Sequence, residues 1–233
     1  MPGKDADKTI LALTKIATAT SDRPPMIAEM LNHLGVRTFA EIGVWKGNFA
    51  KHLLAECSEI TKYHMIDPWR TLDDWDKPLN ETPDFEAVYQ TAMVNTEFAK
   101  SRIKVHRGTT LEVVDDIKKA SLDACYIDGD HSLRGVMIDI IALYDKVKPE
   151  GVIFGDDLAK NPWQHGPNYE PTLVFPAVVH VAEAMGDPFV TLPGGQFAIV
   201  KTRERAFKYF DFAGGYSDQS IKAHFKRGAG RLK

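Results

Sequence analysis

Five short β-prone runs, each ending on an acid or a glycine and each followed by a segment of helical or loop character, constrain this chain more than any other feature. They are "RTFAEIG" (37–43), "KYHMID" (62–67), "RIKVHRG" (102–108), "LDACYID" (122–128) and "GVIFGDD" (151–157). Apolar residues at helical spacing fill the intervals, in "NFAKHLLAEC", "DFEAVYQTAMVNTEFAK", "TTLEVVDDIKK" and "LRGVMIDIIALYDKV". Strands that alternate with helices build a mostly parallel sheet covered on both faces. A further helix is predicted in "LVFPAVVHVAEAMG", and the pair "PFVTLPGGQFAIVK" turns at Gly194-Gly195 as a hairpin. The hairpin forces one antiparallel strand into the sheet.

Two more helical segments precede the first strand, "ILALTKIATATS" and "PPMIAEMLNHLG". Pro24-Pro25 opens the second and Gly35 closes it. The 233 residues contain no Pro/Gly/Ser linker, so the reading is a helical cap over 1–35, one large α/β domain over 36–202, and an extension over 203–233. The extension carries Lys222, Lys226, Arg227, Arg231 and Lys233 without acidic neighbours, as a solvated tail or a contact to an anionic partner. A net charge of −3 with both signs mixed argues against nucleic acid as a general partner. Cys57 and Cys125 fit neither a disulfide framework nor a CxxC metal pattern. No stretch approaches a membrane span, and the expectation is a cytoplasmic protein, with homo-oligomer formation left open.

In an open parallel sheet, ligands bind beyond the carboxyl ends of the strands. The ends here carry Glu41-Ile42-Gly43, Asp67, Gly108, Asp128 and Asp156-Asp157. Five strand ends carrying an acid or a glycine along one edge are better explained by a shared site than by turn chemistry repeated five times. The first turn, "EIGVWKGNF", keeps Gly43 and Gly47 of a dinucleotide fingerprint but places Trp45 at the middle glycine, which exists to let backbone approach a pyrophosphate. That disfavours a nicotinamide dehydrogenase. Asp67, 24 residues after Gly43, stands where a carboxylate accepts from ribose hydroxyls. A ribose without a diphosphate points to S-adenosylmethionine (SAM).

The ordered set "AEIGVWKGNF", "MIDPW", "YIDGDHS" and "VIFGDDL" resembles the class I SAM-dependent methyltransferases, in the bacterial group with an "IDGDHS" turn. The resemblance runs from Thr38 to Val200. It implies a Rossmann-like, seven-stranded sheet with one antiparallel strand. By the same resemblance Glu41, Gly43 and Gly47 line the methionine part of SAM, Asp67 holds the ribose with Trp69 near it, and Gly108, Thr109 and Thr110 lie by the adenine. Asp128 and His131 then sit beside the reacting methyl group.

Methyl transfer to a hydroxyl needs a general base or a cation that lowers the hydroxyl pKa. His131 is the candidate base. Asp128, Asp156 and Asp157 together offer oxygen ligands suited to a divalent cation, Mg²⁺ first, as in catechol-type and sugar O-methyltransferases. Asp130, with Gly129 and Ser132, reads as turn. The expected activity is methyl transfer to a hydroxyl of a small molecule such as a sugar, a phenol or a natural product. The alternatives are a nucleic-acid or N-directed methyltransferase, which "KNPW" (160–163) weakly resembles, and a SAM-binding protein without catalysis. Of the loop residues over this edge, His165 is a candidate to face an acceptor, Trp163 either stacks on one or packs as a lid, and Trp75 reads as ordinary lid packing.

Overall fold

The computed structural model describes residues 3–72, 84–160, 172–203 and 205–217. Trp75, Trp163, His165, most of "KNPW" and the basic tail lie outside the described residues. Eight strands form one sheet in the order β3-β2-β1-β4-β5-β7-β6-β8. The first five are β1 (Thr38–Ile42), β2 (Lys62–Asp67), β3 (Ile103–Arg107), β4 (Leu122–Ile127) and β5 (Val147–Gly155), all parallel to one another. Their carboxyl ends therefore meet at one edge. The chain leaves β1 toward β2 on one side and returns to β4 on the other, which makes the β1/β4 boundary the point where strand order reverses.

β6 (Phe189–Leu192) and β7 (Gln196–Val200) form the predicted hairpin around Gly194 and Gly195, both at positive φ. β7 runs antiparallel to β5, as the sequence implied. The seven-strand expectation is one short. Residues after Lys201 return along the open side of β6, and β8 (Tyr209–Phe210) pairs with it. There the Tyr209 ring stacks on Phe189 at 5.7 Å, covering an edge that would otherwise be free.

Helices cover both faces. α1 (Gly3–Ala19), α2 (Arg23–His33), α3 (Asn48–Glu56) and α4 (Phe85–Thr96) share one core with one face of the sheet. α5 (Thr110–Val113), α6 (Leu133–Tyr144) and α7 (Val174–Met185) lie on the other face. The helix expected through "TTLEVVDDIKK" holds only for its first turn before tightening to a 3₁₀ turn over Val114–Asp116. The β-branched pair Val113-Val114 and the Asp pair after it are poor helix formers. Among the described residues no helix is long and apolar enough to cross a membrane.

The N-terminal helices are built into the core. Leu13, Met26, Ile27, Met30 and Leu31 are buried against the same cluster as Phe39, Phe49 and Tyr126. Each such side chain contributes about 1.5–3 kcal/mol on burial, so α1 and α2 are held to the sheet and can present a side chain at a fixed position. That matters for the site.

Candidate functional site at the carboxyl edge

A cavity of about 520 Å³ opens at the β1/β4 boundary. Backbone brought unusually close forms its floor. Gly43 has φ +83°, and a Cβ there would fall 1.9 Å from the carbonyl oxygen of Asp128. Only glycine lets the turns after β1 and β4 touch in this way. Gly43, Asp67, Gly108, Thr109, Thr110, Asp128 and His131, all singled out from sequence, line the cavity.

Asp67 ends β2 and ties two turns together. Its Oδ2 accepts from the Trp45 N–H at 2.9 Å and its Oδ1 from the Trp69 N–H at 2.8 Å. Burial pushes its carboxyl above the usual range, against these two hydrogen bonds. Trp45 and Trp69 both have positive φ, at 52° and 40°, which β-substituted residues adopt only when their surroundings enforce it. Trp45 lines the cavity, its ring edge-on to Phe85. Trp69 does not: its ring is buried beside Tyr89, and its Nε1–H donates to the Trp45 carbonyl at 2.8 Å. It braces the turn from behind, because the left-handed backbone at Trp69 turns the indole into the core.

Glu41 and Gly47 also stand outside the cavity lining. Glu41 is buried and accepts from the Tyr63 hydroxyl at 2.5 Å. Burial raises its pKa to about 8, with Tyr63 opposing. Gly47, at φ +71°, starts α3, and a Cβ there would lie 3.1 Å from Ala92 of α4. Its part is helix packing.

On the far wall Thr109 caps α5 in a capping box with Glu112. The Thr110 hydroxyl is buried and has no hydrogen-bond partner among the described residues. An unpaired buried hydroxyl costs about 1–3 kcal/mol, which a polar ligand atom reaching it would offset. Ile66, Pro68, Leu72, Leu111 and Ile138 give this end an apolar surface. Glycine floor, acid at β2, apolar wall and orphaned hydroxyl together fit a nucleoside.

At the other end the residues of "YIDGDHS" divide. Asp130 accepts from the Ser132 N–H at 2.9 Å and from its hydroxyl at 3.0 Å, and Ser132 caps α6 through the Gly135 N–H. That is the predicted turn. His131 Nε2 lies 2.6 Å from Asp157 Oδ2 and 3.6 Å from Asp128 Oδ1.

Asp156 faces elsewhere. Its Oδ2 pairs with the Arg23 guanidinium, which also bonds Asp128 Oδ2 at 2.9 Å. Its Oδ1 accepts from the Gln196 side-chain amide and from the Asp157 N–H. Gln196 in turn accepts from the buried Tyr126 hydroxyl. Burial, then the proximity of Asp128, raises the Asp156 pKa. Of the expected cation ligands Asp128, Asp156 and Asp157, Asp156 has both oxygens engaged by N–H donors. Ligand atoms of Asp128, His131 and Asp157 do lie within 4.8 Å of one another. Within that trio His131 and Asp157 make the shortest contact, an ion pair once the imidazole is protonated.

Sequence reasoning missed Arg23, Gln196 and Asp139, the last a buried acid of α6 on the cavity wall. One signal for Arg23 was present. It is the first residue of α2, and the positive end of the helix dipole disfavours a cation there unless something else holds it.

Residues 40–158 match the family model described as a methyltransferase domain. No curated protein matches the chain. Solved structures with the same fold include the O-methyltransferase TomG from Streptomyces achromogenes, involved in tomaymycin synthesis and in complex with SAM. It is 14% identical with a TM-score of 0.55, covering 82% of this chain and 89% of that one. An O-methyltransferase from Bacillus cereus in complex with SAH is 17% identical with a TM-score of 0.53, covering 83% and 91%. An SAH-bound methyltransferase of Podospora anserina is 14% identical with a TM-score of 0.57, covering 83% and 88%.

Proposed function

Because the chain belongs to the SAM-dependent methyltransferase family, we propose that it methylates a hydroxyl of a small molecule, with His131 as general base. The observation that carries this reading is the His131–Asp157 pair, 2.6 Å apart, in which His131 lines a cavity whose other end fits a nucleoside. Two fold neighbours, TomG and the Bacillus cereus enzyme, are O-methyltransferases, in agreement with an oxygen acceptor.

When bound, SAM supplies a methyl group on a positively charged sulfur. The chain's own residues do the rest. Gly43 and Gly129 keep the floor open, since a Cβ at Gly129 would meet the Asp139 carboxylate at 2.8 Å. Asp67 fixes the Trp45 and Trp69 turns and stands beside the ribose position, while Thr110 and the Leu111 wall receive the base. The ring of His131 takes the proton from the acceptor hydroxyl, and Asp157 at Nε2 stabilises the imidazolium that results. Asp128, 3.6 Å away, adds negative potential.

No step is assigned to a divalent cation. Calorimetry with SAM, followed by mass spectrometry of SAM-dependent products from sugars, phenols and hydroxylated natural products, tests the proposal. Absence of SAM binding refutes it, and a product methylated on nitrogen refutes the choice of acceptor atom.

A further inference from the structure

We propose that Arg23 occupies the position of a divalent cation at the reaction centre, so that α2 supplies as a fixed side chain the positive charge that Asp128 and Asp156 would otherwise draw from a metal ion. The inference rests on Asp128 being a reaction-centre residue. Its observations concern a different element of the fold.

The geometry is that of a ligand set around a cation. One nitrogen, Arg23 Nη1, bonds Oδ2 of Asp128 at 2.9 Å and also Oδ2 of Asp156. These carboxylates come from the ends of neighbouring strands β4 and β5. Two such groups side by side repel unless a positive charge lies between them. The guanidinium provides it and needs no dehydration of the kind a metal ion must undergo.

Arg23 is held in place on several sides. Its guanidinium lies 5.0 Å from the centre of the Phe49 ring and 6.0 Å from that of Tyr126. The helix bearing it is anchored by buried Met26, Ile27, Met30 and Leu31. Asp156 is oriented toward it by Gln196, which is itself fixed by the Tyr126 hydroxyl. A swinging surface arginine would have none of these supports. A metal ion entering between Asp128 and Asp156 would have to displace a cation already bonded to both.

Arg23 is thus a positioning residue that acts through two carboxylates. Mn²⁺ uptake by the full chain, read from loss of the free-ion electron paramagnetic resonance signal, tests the idea without reference to turnover. The unmodified protein should take up no Mn²⁺ that Asp156→Asn removes. Arg23→Ala, and Arg23→Met which keeps the stem packed on Phe49, should each bind one equivalent more than the unmodified protein. That gain should vanish in the Arg23→Ala/Asp156→Asn double variant. Arg23→Lys, which retains a charge, should behave as the unmodified protein.

Thermal unfolding confirms that each variant is folded. Uptake by the unmodified chain that depends on Asp156 overturns the proposal, as does failure of folded Arg23→Ala and Arg23→Met to gain a site. SAM binding in the same samples reports separately on the cofactor reading.

Discussion

His131 Nε2 and Asp157 Oδ2 lie 2.6 Å apart although the residues leave different strands, His131 from the turn after β4 and Asp157 from the end of β5. Asp157 reaches this place with φ +57°, a conformation that costs a non-glycine residue about 1–2 kcal/mol. The chain accepts that strain and gains a carboxylate aimed at an imidazole. His131→Gln should lower kcat roughly 10²–10⁴-fold, the usual worth of a positioned acid or base, with SAM affinity changed little. Asp157→Asn should lower kcat as well and alter its pH profile. Steady-state kinetics beside calorimetric SAM binding check both; equal loss of binding and turnover would point to a structural role.

Gly43→Ala should be far more damaging than Gly47→Ala. At Gly43 the new methyl meets the Asp128 carbonyl oxygen at 1.9 Å and its carbon at 2.5 Å, both rigid backbone atoms. A loss of about 4 kcal/mol or more is expected for such an overlap, together with loss of SAM binding as the floor is pushed open. At Gly47 the nearest atom is Ala92 Cα at 3.1 Å, and the cost should be mainly the left-handed backbone, about 1–2 kcal/mol. Urea unfolding of the two variants gives the comparison directly.

The contrast between these glycines bears on what could be read from the sequence. Gly43, Asp67, Gly108 and Asp128 were legible because they end parallel strands, and the topology rule converts that position into a place at the cavity. Which way a side chain points was not legible. Trp69 follows Asp67 by two residues yet turns into the core, and Asp156 and Asp157 face different partners although adjacent. Arg23 was hidden by distance: 105 residues separate it from Asp128 and 133 from Asp156, so no local pattern joins them. Strand β8 went unseen because two residues give no period.

Glu41 should make the protein lose stability as pH rises. Its carboxyl titrates near 8 when folded, against an ordinary 4.5, because burial disfavours the anion by more than the Tyr63 hydrogen bond favours it. Below about pH 4.5 both states are protonated and nothing is lost. Between 4.5 and 8 the unfolded chain ionises first, so stability falls by up to about 1.4 kcal/mol per pH unit from this group alone. Glu41→Gln keeps an acceptor for the Tyr63 hydroxyl and should flatten that slope in chemical unfolding followed between pH 5 and 8. An unchanged slope would mean that Glu41 is ionised in the folded protein.

On the acid side the pair His64–His106 should set the limit. The two rings stack between β2 and β3 with Nδ1 and Nε2 at 2.8 Å, and both residues are buried. Burial, then His106 and the nearby Lys62 and Lys104, lowers the His64 pKa from 6.5 to about 4. The unfolded chain therefore binds a proton below about pH 6.5 that the folded chain refuses until about pH 4. Stability should decline across that window by up to about 1.4 kcal/mol per unit. His64→Gln should reduce the decline, and thermal unfolding at pH 7, 6, 5 and 4.5 measures it.

The bond from Arg23 to Asp156 also orders events in time. Synthesis runs from the N-terminus, so the cation of this cluster is made 133 residues before the second carboxylate it holds. A nascent chain that has released only α2 and β1 carries the positive charge with neither partner, and one that ends just past β4 has Asp128 alone. Contacts of such long sequence separation close late, after the local ones have formed. Arg23, Asp128 and Asp156 therefore come together only in chains whose β5 has docked, and the half-made protein does not hold the charge pattern of the finished one.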